Sequence, residues 1–331
     1  MPIDPRFYRP QGALDTAELA SRLGLDAAGL PEVSVTSLGS LDSALPGDLC
    51  FFDGSIKAWS DHQREGTVCL VREDQDWSNV QADGHIQVAD PRVSYFQIAD
   101  DWVTDERHEN APPIIHPDAE IADSAVISNG AAIGAGARIE PFVYVGPGVQ
   151  IGKGTKIGSH TSIRFSLIGD GVKILAGARL GEDGFGLIPG EGHLKDLPHF
   201  GRVILQDGVT LGANCSVDRG LLGDTILGEH TKIDNQCHIG HNTVVGRNVI
   251  IVAYGGISGS VEIGDNAQLG GRVGVADHVT IGEGARIAAG SGLRRDVPAG
   301  ETWGGYPATP ISDWHREVVW LKKQAKRKAA K

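Results

Sequence analysis

Cysteine is scarce: the 331 residues include only Cys50, Cys69, Cys215 and Cys237, with no C-x-x-C spacing. That argues against a zinc knuckle and a disulfide framework, and the thiols are expected to be reduced and structural. Aromatic residues make up only 6% of the chain. No apolar run approaches the roughly 20 residues needed to span a bilayer. The N-terminus, MPIDPRFYRP, has no apolar stretch behind a basic start, and the expected location is the cytoplasm. An excess of basic charge is missing as well. The net charge of −12 opposes nucleic-acid binding, which requires a basic surface.

Glycine, in contrast, is abundant. Its 46 positions are about twice the usual share, which favours a repetitive β architecture with tight turns and small side chains. Charge is also unevenly placed. From His315 to Lys331 seven basic residues face one acid, Glu317, for a net +6, so the preceding 314 residues carry −18. The tail is a separate electrostatic object, suited to an acidic partner or to a membrane surface.

The chain divides near residue 108. Residues 1–108 read as a small α/β domain. TAELASRLGL has Leu19 and Leu23 at helical spacing, and SYFQIADDWV reads as a second helix. VSVTSL, DLCFF, TVCLV and HIQVAD read as short strands between Gly and Asp turns. The polar stretch DERHENAPP makes the boundary.

Residues 109–303 have a different character. Ile or Val stands at 115, 121, 127, 133, 139, 145, 151, 157 and 163, a spacing of six. Ile168, Ile174 and Leu180 follow after a shift of one residue, and Leu205, Leu211 and Val217 after an insertion. Every sixth residue from Leu227 to Leu293 is then aliphatic without a miss. Two places before these positions the side chain is small or short, as at Ala131, Ala137, Thr155, Cys215, Thr231, Cys237, Ala267 and Ser291. A period of six fits neither an α-helix nor an alternating strand. It fits a triangular prism with one short strand and one turn per hexapeptide, the aliphatic residue pointing inward and the small one filling the corner. The 27 repeats predict about nine coils of 18 residues, a column of roughly 45 Å at ~4.8 Å per coil. Residues 304–331 predict a short C-terminal helix with Trp314, Val318 and Leu321 on one side and a basic end.

A repeat specifies a scaffold, and chemistry must come from departures from it. GEDGFGLIPGEGHLKDLPHFGRV, between Leu180 and Leu205, is long enough to be ejected from the column and to bind a ligand or a neighbouring subunit. DRGLLGD, residues 218–224, separates two repeat runs. IDNQCHIGHN, residues 233–242, keeps the phase yet is crowded with polar groups. Ile233 and Ile239 should point inward, so His241, two places later, should project outside among Asp234, Asn235, Gln236 and Asn242.

DGFG (183–186), GRV (201–203), VDRG (217–220), IDNQCHIGHN, GGISGS (255–260) and GGYPATP (304–310) together resemble the UDP-3-O-acylglucosamine N-acyltransferases of lipid A assembly, over essentially the whole chain. The resemblance implies a mainly β chain built on a left-handed parallel β-helix, a handedness opposite to the usual crossover preference. It implies N-acylation of UDP-3-O-(3-hydroxyacyl)glucosamine at its 2-amino group. The donor would be an acyl carrier protein bearing phosphopantetheine; no metal and no further cofactor is implied.

On this resemblance His241 matches the general base, and an imidazole can take the amine proton near neutral pH. Gly259 matches a position offering a backbone N–H to the oxyanion. His278 lies 37 residues after His241, two coils plus one, and matches a histidine assisting substrate binding or oxyanion stabilisation. Asp234 is a candidate to orient His241; Asn235, Gln236 and Asn242 are candidates for substrate contact. Phe51 and Trp59 lie where the family stacks aromatics on uracil, although Phe51 also reads as a core residue. Gly292 corresponds approximately to a position that can carry a bulky stop for the acyl chain. The family pattern further implies a homotrimer with active sites between columns.

Three other readings use the same features. An acetyl-CoA-dependent sugar acetyltransferase explains the repeats and His241 but leaves the N-terminal domain and the basic tail without roles. A zinc lyase of the carbonic anhydrase type would draw on His230, His238 and His241. A non-enzymatic scaffold would carry the repeat alone.

Overall fold

The computed structural model describes residues 3–41, 43–52, 54, 66–78, 80–189, 192–305 and 310–329. From Ile114–Ile115 to Thr302–Trp303, short strands, most of them two residues long, stack in three parallel sheets of ten, nine and nine strands. Each residue pairs with the one a coil later, so Ile233, Ile251, Leu269 and Ile287 form one inward ladder. These four are at most 3% exposed. The parallel β-helix expected from the hexapeptides is thus present, at nine to ten coils.

The corner positions show why small residues recur there. Thr231 is fully buried, which would leave its hydroxyl costly if unpaired. Its Oγ1 donates to the carbonyl of Gly246 at 2.8 Å and accepts the N–H of Val249 at 3.0 Å, so the next coil satisfies it. Insertions leave the ladder intact. Ile174 pairs with Leu211 across the long insertion, and Leu211 with Ile233 across DRGLLGD. The extra residues loop out while the inward stack continues.

In the N-terminal domain, Ser37–Leu38, Asp48–Phe51, Val68–Arg72 and Gly84–Val88 form a parallel sheet in that order. Helix α1 (Thr16–Arg22) starts at an Asp15 cap, and α2 (Pro91–Trp102) at an Asp90 cap that accepts the Val93 N–H at 3.0 Å. All four cysteines are buried.

One feature of the N-terminus goes beyond the pattern. Tyr8–Pro10 pairs antiparallel with Val103–Asp105, and the Tyr8 ring stacks on Phe165 of the column, centroids 5.2 Å apart. The Tyr8 hydroxyl donates to the Gly201 carbonyl at 2.7 Å. Asp4 pairs with Arg202, which also grips Asp224 at 2.8 Å. Burial acts to raise the Asp4 carboxyl, but hydrogen bonds from Arg6 and Arg202 outweigh it and hold it at about 2. The first residues of the small domain therefore brace the β-helix beside the ejected loop.

Helix α3 (Ile311–Ala329) closes the chain. Its Trp314 and Leu321 remain 47% and 60% exposed, so much of the apolar stripe is uncovered among the described residues. No helix among the described residues is long and apolar enough to cross a membrane.

Candidate active site

His241 leaves the column just past the strand His238–Ile239, whose Ile239 is fully buried. The next residue, Asn242, turns the corner with φ +59°. Its Oδ1 accepts the N–H of Leu221 at 2.8 Å, which fixes the orientation of the amide, and the same oxygen lies 3.1 Å from His241 Nδ1. A carbonyl oxygen can only accept, so Nδ1 carries the hydrogen and Nε2 is left with a lone pair.

Gly259 stands one coil after His241. A Cβ on Gly259 would lie 2.6 Å from His241 Nε2, so only glycine lets the basic nitrogen approach this backbone. The flanking N–H groups are engaged, Ser258 with the Val275 carbonyl at 3.1 Å and Ser260 with that of His241 at 2.8 Å. The Gly259 N–H takes no hydrogen bond among the described residues.

A cleft of about 560 Å³ opens in front of His241. Gly259, His278, Ser258, Ser260, Asp277, Asp218 and His238 line it from the column, Phe185 from the ejected loop and Arg92 from α2. His278 occupies a corner turn with φ +58°, its N–H on the Gly259 carbonyl at 3.2 Å. Asp218 is nearly enclosed; burial raises its carboxyl to about 6, partly opposed by His241. His238 Nε2 lies 3.6 Å from Asp218 Oδ2 and its Nδ1 2.9 Å from Ser216 Oγ, and burial lowers its pKa.

The ejected loop forms the back wall. Arg219, 7% exposed, holds both ends of it, donating to the carbonyls of His199 at 3.0 Å and Gly181 at 2.9 Å and to Asp183 Oδ1 at 2.6 Å. Its guanidinium lies over the Phe165 ring at 4.2 Å. This clamp brings Gly184 so close to His241 that a Cβ there would meet His241 Cδ2 at 2.7 Å.

His241, Gly259 and His278 therefore meet in one cleft. Asp234 does not join them: its carboxylate accepts from Asn235 N–H at 2.7 Å and Ala253 N–H at 3.2 Å, and Asn242 holds His241 instead. Asp234 follows Ile233, which lies in a different sheet from Ile239. Asn235 and Gln236 share that other corner, Asn235 Oδ1 capping the Ala213 N–H at 2.8 Å. His230 belongs to a third corner, after Asp224–Leu227. No group of three His, Cys, Asp or Glu side chains among the described residues is arranged to hold a metal ion.

Gly292 lies outward on the His238 face, in register through Gly256 and Gly274, with open space at each Cβ position. Phe51 packs on Tyr95 and Phe96, centroids 5.0 and 6.0 Å away, and Trp59 lies outside the described residues. Asp218, Ser258, Asp277, Arg92 and His199 were not singled out from the sequence, although Asp218 sits in VDRG and Asp277 lies two coils, 36 residues, after His241.

Residues 130–164 and 260–295 match the family described as bacterial transferase hexapeptide (six repeats). A UDP-3-O-acylglucosamine N-acyltransferase of Caulobacter vibrioides (strain NA1000 / CB15N) is 49% identical over 330 residues, 97% of each chain. One from Caulobacter sp. (strain K31) is 43% identical over 332 residues, again 97% of each. A solved UDP-N-acetylglucosamine acyltransferase covers 56% of this chain and 71% of its own at 26% identity, with a TM-score of 0.52. Likeness at that level over nearly the entire length makes this chain an acyltransferase, and it belongs to the UDP-3-O-acylglucosamine N-acyltransferase family.

Proposed function

We propose that the chain moves a 3-hydroxyacyl group from acyl carrier protein to the 2-amino group of UDP-3-O-(3-hydroxyacyl)glucosamine, a step of lipid A synthesis, with His241 as general base. The observation that carries this reading is the hydrogen-bond chain from Leu221 N–H through Asn242 Oδ1 to His241 Nδ1, which leaves Nε2 unprotonated and facing Gly259. The amine attacks the thioester carbonyl, forming the C–N bond while Nε2 takes its proton. The oxyanion of the tetrahedral intermediate is met by the unengaged Gly259 N–H, with His278 beside it. On collapse the C–S bond breaks, and the departing thiolate takes the proton back from His241.

The glycine ladder Gly256, Gly274 and Gly292 offers the acyl chain a floor without side chains. The N-terminal domain, through Phe51 and Trp59, is the candidate holder of the uridine. The basic end of α3 suits the acidic carrier protein, with peripheral membrane contact as its other use. Exposed Val244, Ile250, Val252 and Tyr254 on the column favour a homotrimer, in which neighbouring columns cover them. A cytoplasmic site of action fits a carrier-protein donor.

His241→Ala should reduce turnover by at least about 10²-fold with the fold retained. Wild-type turnover in a purified transfer assay would remove His241 from the mechanism.

A further inference from the structure

The ejected loop carries a buried histidine that the mechanism above does not use. His199 is 1% exposed, and its ring meets that of His241 edge to face, centroids 5.2 Å apart at 70°. Its Nδ1 lies 2.8 Å from the carbonyl oxygen of Leu197. That oxygen can only accept, so Nδ1 bears the hydrogen and Nε2 a lone pair. This Nε2 is buried and takes no hydrogen bond among the described residues. A buried acceptor without a partner has lost its hydration with nothing in return, and a fold keeps it only where something offsets the loss.

Gly184 stands between the two rings. A Cβ built on it would lie 2.7 Å from His199 Nε2 and 2.7 Å from His241 Cδ2. Both atoms border the position that a side chain on residue 184 would occupy. When an imidazole gains a proton its positive charge spreads over the whole ring, C–H edge included. A lone pair directed at that edge favours the protonated form.

Resting on the reading of His241 as general base, we propose that His199 is a positioning residue for it, fixing the His241 ring and turning a neutral lone pair toward it as the amine proton arrives. Neutrality is required, because a second imidazolium would oppose the first. Burial lowers the His199 ring to about 4, against the Leu197 carbonyl acting the other way. Facing His199 are Asp183, with Oδ1 3.8 Å from Nδ1, Arg219, whose Nε donates to the His199 carbonyl, and His241 itself. Around the base stand Asp218, His238, Asp277, His278 and Arg92.

The test uses the full-length protein with His199→Leu and His199→Met, two apolar replacements, beside His199→Gln, which keeps an acceptor, and His241→Ala. The His241 ring is titrated by NMR, its signal assigned by its loss in His241→Ala, and transfer is measured across pH. The apolar variants should lower the His241 pKa by about one unit, tenfold in proton affinity, with kcat down about tenfold and KM for the sugar nucleotide within about twofold. His199→Gln should restore most of both. An unchanged His241 titration in whichever apolar variant folds overturns the inference, whatever its thermal stability. Wild-type turnover in His241→Ala would instead overturn the general-base reading, while the NMR shift still reports on the coupling of the two rings.

Discussion

Asp218→Asn should stabilise the protein at neutral pH, whereas His199→Gln should stabilise it in acid, because burial displaces these two groups in ways that oppose each other. The Asp218 side chain is 12% exposed, and its carboxyl rises from 3.8 to about 6. A carboxyl raised on folding contributes stability that is fully present below its unfolded pKa and is lost as pH climbs between about 4 and 6. Two units correspond to about 3 kcal/mol, reduced to about 2 by residual solvent and by the coupling to His241. His199 falls from 6.5 to about 4. Its contribution is present above about 6.5 and is lost as pH drops toward 4, again about 3 kcal/mol.

In the wild type these slopes overlap between about pH 4 and 6 and largely cancel, so neither is visible alone. Each substitution uncovers the other. Relative to wild type, Asp218→Asn should gain about 2 kcal/mol near pH 7.5, falling toward zero at about pH 4, and His199→Gln should do the reverse, reaching about 3 kcal/mol at about pH 4. Urea unfolding at fixed protein concentration across this range reads both differences, and any pH-independent offset from changed packing drops out of the slopes. Differences that stay flat with pH for both variants would show that neither group is displaced as described.

Gly259→Ala places a methyl 2.6 Å from His241 Nε2 and should lower kcat at least about 10²-fold without loss of the β-helix by circular dichroism. A fully active alanine variant would mean that the amine is deprotonated elsewhere. Gly292→Met should shift preference toward shorter acyl donors, since each methylene excluded from an apolar groove forfeits about 0.8 kcal/mol, roughly fourfold. Competition between donors two carbons apart should move about tenfold, and an unchanged ratio would place the chain end elsewhere. Light scattering should give three copies per particle, and a stable, fully active monomer would exclude sites built between columns.

The column was legible because one inward aliphatic residue is demanded at each sixth position, and the pairing of Ile233 with Ile251, Leu269 and Ile287 repeats that demand coil after coil. The same phase put His241 outside and brought His278 to its corner, since 36 of the 37 residues between them are two full coils. Taken one step further, the phase also separates His241 from Asp234. Asp234 precedes it by seven residues, one hexapeptide plus one, and a hexapeptide turns the chain through one face of the prism, so nearness in sequence set the two on different corners. Asn242, one residue from His241, stays at the corner and makes the bond that was sought from Asp234.

Other features of the site lie beyond any periodicity. The approach of Gly184 and His199 to the base depends on a loop that the repeat expels and Arg219 then ties back, a contact across chain segments for which spacing carries no signal. Phe51 shows the converse limit. It ends a strand of a parallel sheet, where α2 brings Tyr95 and Phe96 against it, so the same ring that could meet a base from outside already packs with the domain's own aromatics. Periodic restraint specifies what each residue faces within the column; the chemistry at His241 is completed by groups that the repeat leaves free to fold back upon it.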